Sequence, residues 1–270
     1  MPPQKTAREL LNFYAEAGVD ALVGEQPVNR FAGHEKSAPR AQPRQATSPP
    51  PALPRSGHAN PPQDLLAPDD AAMAAREAAK GAETLDALRA ILEKFDGCGL
   101  KATAMKLVFA DGNPQARVMF VGEAPGADED REGRPFVGRS GKLLDRMLAA
   151  IGFDRTKVYI ANIVPWRPPG NRDPSPHETA ICLPFIRRQI ELCNPDILVC
   201  LGKPSMQTLL ALNEPISKAR GRWFNFDTGT REIRAIPTFH PAFLLRSPLQ
   251  KRFVWRDFLA IKKAIESNQR

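Results

Sequence analysis

From about residue 69 the chain alternates two kinds of apolar pattern. Four short runs are apolar and rich in β-branched residues: ARVMFVG (116–122), VYIANIV (158–164), DILVCLG (196–202) and IRAIPTF (233–239). Between them, apolar residues recur at helical spacing in GKLLDRMLAAIG (141–152), ETAICLPFIRRQIELC (178–193) and the shorter PSMQTLLAL (204–212). Strands alternating with helices predict a parallel sheet covered on both faces. The expected fold is therefore three-layer α/β/α around a central four-stranded parallel sheet. Residues 69–95 read as an alanine-rich helix, with Asp69 and Asp70 at the end where the dipole favours anions.

The first quarter of the chain reads differently. Residues 6–23 show helical spacing, opened by Thr6 as N-cap with Glu9 three positions later. Residues 27–68 hold ten prolines and a single aromatic, Phe31. Such a stretch buries too little apolar surface to offset its ordering entropy and is expected to be a linker. Three regions follow: an N-terminal helical appendage (1–26), a proline-rich flexible linker (27–68) and a catalytic domain (69–270). The appendage packs on the main domain or binds a protein partner of its own.

Charge sharpens the picture. The net charge is +8 over 270 residues, but residues 1–68 carry seven Lys/Arg against six Asp/Glu. The remaining +7 thus belongs to 69–270 and suggests a polyanionic partner. Four irregularly spaced cysteines argue against a disulfide framework and for a reducing, cytoplasmic compartment. No run approaches the ~20 apolar residues of a membrane helix, no secretory signal is visible, and no phosphate-binding GxGxxG or GxxxxGK[ST] occurs.

Ligands of parallel sheets bind outside the carboxyl ends of the strands. GEAPGADED (122–130) follows the first run. Asn162 lies near the end of the second, and FHPAFLLRSP (239–248) ends the fourth. Glu123, Asn162 and His240 should therefore meet on one rim, near Phe136 in REGRPFVGRSG (131–141). Each also has a structural reading. Glu123 could cap a turn, Asn162 could serve a buried hydrogen bond, His240 could be structural, and Phe136 could be core.

Taken together, GEAPGADED, GRPFVGRSGKLLD, VYIANIV-x-x-RPPGNR and TFHPAFLLR resemble the uracil-DNA glycosylase superfamily over roughly residues 95–265. They are most like its iron–sulfur branch, often called family 4. The resemblance implies hydrolysis of the N-glycosidic bond of uracil in DNA, with the base flipped from the stack. It assigns Phe136 to stacking on the base, Asn162 to reading its edge and His240, acting neutral, to donating toward uracil O2. Glu123 positions water and offsets charge on the sugar. Gly122, Ala124 and the backbone amides of 124–126 face the base, and Glu129 lies near uracil C5. For DNA, Arg139, Ser140 and Gly141 at a helix start, with Arg167 and Arg172 in the proline loop, are expected phosphate ligands. Leu244, Leu245 and Arg246 resemble the loop that wedges into the duplex.

One feature departs from that branch. Two of its four cluster cysteines correspond to Phe95 and Trp166, leaving Cys98 and Cys182. Two thiolates do not hold a cluster that takes four. The expectation is no cofactor and no metal, with Phe95, Cys98, Trp166 and Cys182 packed as one cluster. Cys193 and Cys200 read as core. The expected protein is a monomeric DNA-repair enzyme whose partner is uracil-containing DNA. A glycosylase for hypoxanthine or xanthine, or a non-catalytic DNA-binding relative, are the alternatives.

Overall fold

The computed structural model describes residues 68–267. The appendage 1–26 and nearly all of the linker 27–68 lie outside the described residues. Two helices open the domain, α1 (Pro68–Lys80) and α2 (Leu85–Lys94). The single helix expected over 69–95 is thus interrupted. Gly81 begins the break, and Thr84 restarts the helix by accepting the Ala87 N–H at 3.1 Å.

The four apolar runs form strands β2 (Val118–Gly122), β3 (Tyr159–Asn162), β4 (Ile197–Leu201) and β6 (Glu232–Thr238). They pair in parallel, in the order β3-β2-β4-β6. The expectation of four strands needs one correction: the sheet has six. Two-residue β1 (Asp111–Gly112) pairs antiparallel with β3, and β5 (Phe224–Asp227) pairs antiparallel with β6. Neither shows as an apolar run. β1 is too short, and in β5 only Phe226 is buried, as suits an edge strand with one covered face.

Side-chain alternation along the strands splits the core in two. Met119 and Val121 point into one layer, with α1, α2, α5 (Pro176–Cys193) and α6 (Lys203–Leu210). Val118 and Phe120 point into the other, with α4 (Arg139–Ala150) and α9 (Lys251–Ser267). α5 begins two residues before the periodic pattern, because Ser175 and Glu178 form a capping box ahead of it. Three short helices complete the domain: α3 (Ala127–Glu132), α7 (Ile216–Ala219) and α8 (Pro241–Arg246). No described helix is long and apolar enough to cross a membrane.

Candidate active site

The carboxyl ends of β2, β3, β4 and β6 open into one cavity of about 630 Å³. Glu123, Phe136, Asn162 and His240 all line it. The strand register explains why. Gly122 and Asn162 are paired residues on neighbouring parallel strands, and β6 ends two residues before His240.

Gly122 matters for what it lacks. A Cβ there would fall 2.4 Å from Asn162 Oδ1 and 2.7 Å from the tip of the Phe136 ring. The amide and the ring therefore meet over bare backbone. Asn162 is only 4% exposed, and among the described residues its Oδ1 is the buried side-chain atom with no hydrogen-bond partner. A buried acceptor left without a partner costs roughly 1–3 kcal/mol, and this one faces the cavity.

Phe136 is held in an unfavourable backbone conformation, φ +55°. A left-handed conformation costs a residue other than glycine roughly 1–2 kcal/mol. Three contacts fix it. Val137 and Gly138 donate their backbone N–H groups to Glu129 Oε1 at 2.9 and 3.0 Å. Arg155 donates to the carbonyls of Pro135 and Phe136, and is itself paired with Asp111 and Asp145. Gly141, the third residue of α4, lies so close that an added Cβ would sit 1.7 Å from the Phe136 oxygen. The ring then lies 5.4 Å from the His240 ring, tilted by 32°.

Glu129 also accepts the Gly126 N–H through Oε2 at 3.1 Å. It lines the cavity, but both of its oxygens already serve backbone amides. These bonds clamp residues 126 and 137–138 together. Of the backbone amides expected at 124–126, Pro125 has no N–H and Gly126 is taken by Glu129. Ala124 is left, and it lines the cavity.

Glu123 and His240 both titrate away from their ordinary values. Burial pushes the Glu123 carboxyl up to about 7, and Asp173 nearby adds to the rise. Burial, with the Arg246 cation adding to it, pushes His240 down to about 4. His240 Nδ1 accepts the Ala242 N–H at 3.1 Å as the N-cap of α8. A neutral ring with Nδ1 as acceptor carries its proton on Nε2, which becomes the free donor.

The expected phosphate ligands fare unevenly. Arg139 is exposed and Ser140 lines the cavity at the start of α4. Gly141 is buried against Phe136, which leaves no room for a side chain there. Arg172 lines the cavity but makes a two-pronged pair with Glu178 at 2.6 and 2.8 Å, which holds Glu178 down at about 2. Arg167 donates to Asn171 Oδ1 at 2.7 Å. In the expected wedge, Leu244 is fully buried in the second core layer and faces no solvent. Leu245 and Arg246 are exposed, so any wedge is Leu245 alone.

Phe95, Cys98, Trp166 and Cys182 belong to one core layer, and Trp166 is 2% exposed. The neighbouring Cys98 thiol and burial push Cys182 well above the ordinary thiol range. Phe95 packs edge-on against Phe185 at 5.0 Å. Aromatic rings occupy two of the four positions, so these residues do not fit a four-thiolate group. Among the described residues no three His, Cys, Asp or Glu side chains gather to hold a metal. Cys193 and Cys200 are buried, as expected.

Sequence reasoning passed over several residues of the site. Gly202 and Lys203 line the cavity after β4, the strand end left out of the rim. The strand-end rule applied to all four strands would have found them. Asp173 and Asn171 line it from the proline loop. Arg155 gave no signal, because it acts on carbonyls about 20 residues away.

An aromatic wall, a buried amide, a neutral imidazole and a carboxylate raised toward neutrality thus meet in one cavity at the carboxyl edge of the parallel strands, the arrangement of an enzyme pocket. The model of the uracil DNA glycosylase superfamily matches residues 109–259. The chain is 40% identical to the type-4 uracil-DNA glycosylase of Saccharolobus solfataricus, over 68% of this chain and 88% of that protein. It is 39% identical to the type-4 enzyme of Archaeoglobus fulgidus, over 66% of this chain and 92% of the relative. The Thermotoga maritima type-4 enzyme is also 39% identical, over 68% and 96%. The chain belongs to the uracil-DNA glycosylase superfamily.

Proposed function

We propose that this chain hydrolyses the bond between uracil N1 and deoxyribose C1′ in DNA, releasing free uracil and leaving an abasic site. The observation that carries the proposal is the orphaned Asn162 Oδ1 beside the Phe136 ring. Uracil presents an N3–H donor next to the O4 acceptor. Asn162 answers with Oδ1 as acceptor and Nδ2 as donor, whereas cytosine presents the reverse pair. The bond is out of reach inside a duplex, so the nucleotide must leave the stack. Leu245 is the exposed apolar side chain suited to fill the gap.

As the C1′–N1 bond breaks, its electron pair moves onto the uracil ring and C1′ becomes oxocarbenium-like. His240 Nε2–H stabilises the charge developing on O2, and a neutral donor does so without transferring its proton. A single donor of this kind is worth about 10²–10³ in rate. Ionised Glu123 offsets the positive sugar and orients water. The water oxygen bonds to C1′ and its proton passes to the carboxylate. Phe136, fixed before substrate arrives, supplies the stacking face.

The enzyme works as a monomer on DNA in the cytoplasm. Arg139 and Arg246, exposed and without an ion pair among the described residues, supply salt-dependent backbone contacts. Single-turnover release of base from oligonucleotides carrying uracil, hypoxanthine or xanthine tests the reading. Wild type should release uracil, and Asn162→Asp should lose most of that rate. Release of another base in preference, or an Asn162→Asp rate equal to wild type, would overturn it.

A further inference from the structure

Among the described residues, six large apolar side chains are conspicuously exposed, and four of them fall between positions 245 and 259: Leu245, Leu249, Trp255 and Leu259. Leu249 is 83% and Trp255 45% exposed. Beside Trp255 runs a groove of about 380 Å³ between α4 and α9, lined by Leu143 and Met147 with the buried Leu244 and Phe258 behind them. Its rim is cationic, formed by Arg146, Lys251 and Arg252. The sequence of α9 from 251 to 265 holds one acid, Asp257, which is buried and bonded to Arg220 and Thr238. Asp145 of α4 is engaged by Arg155. The rim thus carries positive charge with the neighbouring acids already taken.

The groove also shares a wall with the cavity. Helix α8 presents Ala242, Phe243 and Arg246 to the cavity and Leu244 to the groove. Leu244 fits this arrangement better than an intercalating role, since it is the buried partition between the two hollows. A strand whose uracil occupies the cavity would therefore pass the groove within a few nucleotides. Apolar floor, tryptophan edge and uniformly basic rim are what a nucleobase with its flanking phosphates recognises.

We propose that this groove is a second DNA subsite, which holds an unpaired nucleobase of the strand flanking the flipped nucleotide, stacked on Trp255, with its phosphates on Arg146, Lys251 and Arg252. The inference rests on the DNA-glycosylase reading of the cavity. The two are tested apart by varying the substrate outside the uracil nucleotide.

The probes are single-stranded oligodeoxynucleotides carrying one deoxyuridine, with three nucleotides on each side or with ten on one side only. Binding is measured on their uncleavable 2′-fluoro counterparts, and excision on the ordinary ones. For wild type, lengthening one of the two flanks should tighten binding about tenfold, the scale of one stacked base. Trp255→Ala should lose that gain, and Trp255→Phe should keep most of it. Both should excise uracil from the short probe at the wild-type rate. Lys251→Ala with Arg252→Ala should flatten the salt dependence on the long flank by about 0.7 per charge removed. Equal gains in wild type and Trp255→Ala would overturn the subsite, as would a gain from neither flank. So would an equal loss in Trp255→Ala on short and long probes, or a concentration-dependent self-association that Trp255→Ala abolishes. If wild type releases no uracil even from the short probe, the reading of the cavity fails instead.

Discussion

Glu123 titrates near 7 because burial penalises its charge and Asp173 adds repulsion. A carboxylate that must be ionised to act then controls the acid side of the rate profile. With a value of about 7, about half of it is ionised at pH 7, about a tenth at pH 6 and about nine tenths at pH 8. His240, held down at about 4, stays neutral across that window and adds no second limb. Single-turnover excision at enzyme concentrations below saturation should therefore rise about tenfold per pH unit up to pH 6 or so, bend near 7 and level off by 8. Asp173→Asn removes the repulsion and leaves the burial, so Glu123 should titrate lower. The bend should move to lower pH, with a higher rate than wild type at pH 6 and no change at pH 8. Asp173 is exposed, so the displacement should shrink as salt is added. A flat profile between pH 5 and 9, or a bend that Asp173→Asn leaves in place, would refute this account of Glu123. Stability supplies an independent check. The folded value of Glu123 lies above its ordinary 4.5, so its contribution to stability is fully present below about 4.5 and is lost as pH rises through 7. Glu123→Gln, though inactive, should therefore gain in Tm over wild type as pH rises from 5 to 8.

The other predictions concern the donor, the clamp and the aromatic plug. His240→Ala should slow the single-turnover step by about 10²–10³ while leaving DNA affinity within a few-fold, and an equal loss of both would make the histidine structural. Arg155→Ala should lower the excision rate at saturating enzyme more than it lowers affinity, because it releases the backbone that aims Phe136; Arg155→Lys should restore only part, since one ammonium cannot reproduce the guanidinium fork. Trp166→Ala should cost about 3–5 kcal/mol in denaturant unfolding, as expected of a fully buried large aromatic, and a loss under about 1 kcal/mol would mean the layer collapses into the space.

Periodicity made the four parallel strands and the main helices legible, because each buries a continuous or evenly spaced apolar face. It could not show β1, whose two residues pair with the distant β3, or β5, an edge strand with one buried residue that hairpins onto the adjacent β6. The helix α9 went unread although it buries Val254, Phe258, Ile261 and Ile265 at clear helical spacing. There the signal was present and simply follows the last motif. At the site, Glu123, Phe136, Asn162 and His240 were visible as polar or aromatic residues where strands end. Glu129 and Arg155 were harder. Their partners are backbone amides and carbonyls, which carry no residue identity, so nothing in the sequence marks them as clamps. Leu244 and Leu245 are adjacent leucines on a six-residue helix, and only the packing of α8 decides which one turns inward.

The free protein carries three unfavourable features in one cavity. Phe136 sits in a left-handed backbone conformation, Asn162 Oδ1 is buried without a donor, and Glu123 is kept from ionising fully at neutrality. Each carries a cost, and for Phe136 the contacts of Glu129 and Arg155 hold the conformation in place. On the function proposed above, a flipped uracil would stack on the phenyl face, bring its N3–H to Oδ1 and, as positive charge develops at C1′, favour the ionised carboxylate. The first two gains arrive on binding and the third only as the bond breaks. Interactions made stronger in the transition state are the ones that raise the rate, so Glu123 and His240 should govern the chemical step, while Phe136 and Asn162 should govern which base enters. A thymine-accepting variant should therefore be sought among changes that reshape the loop clamped by Glu129. Substitutions at Glu123 or His240 should lower the rate for every base alike.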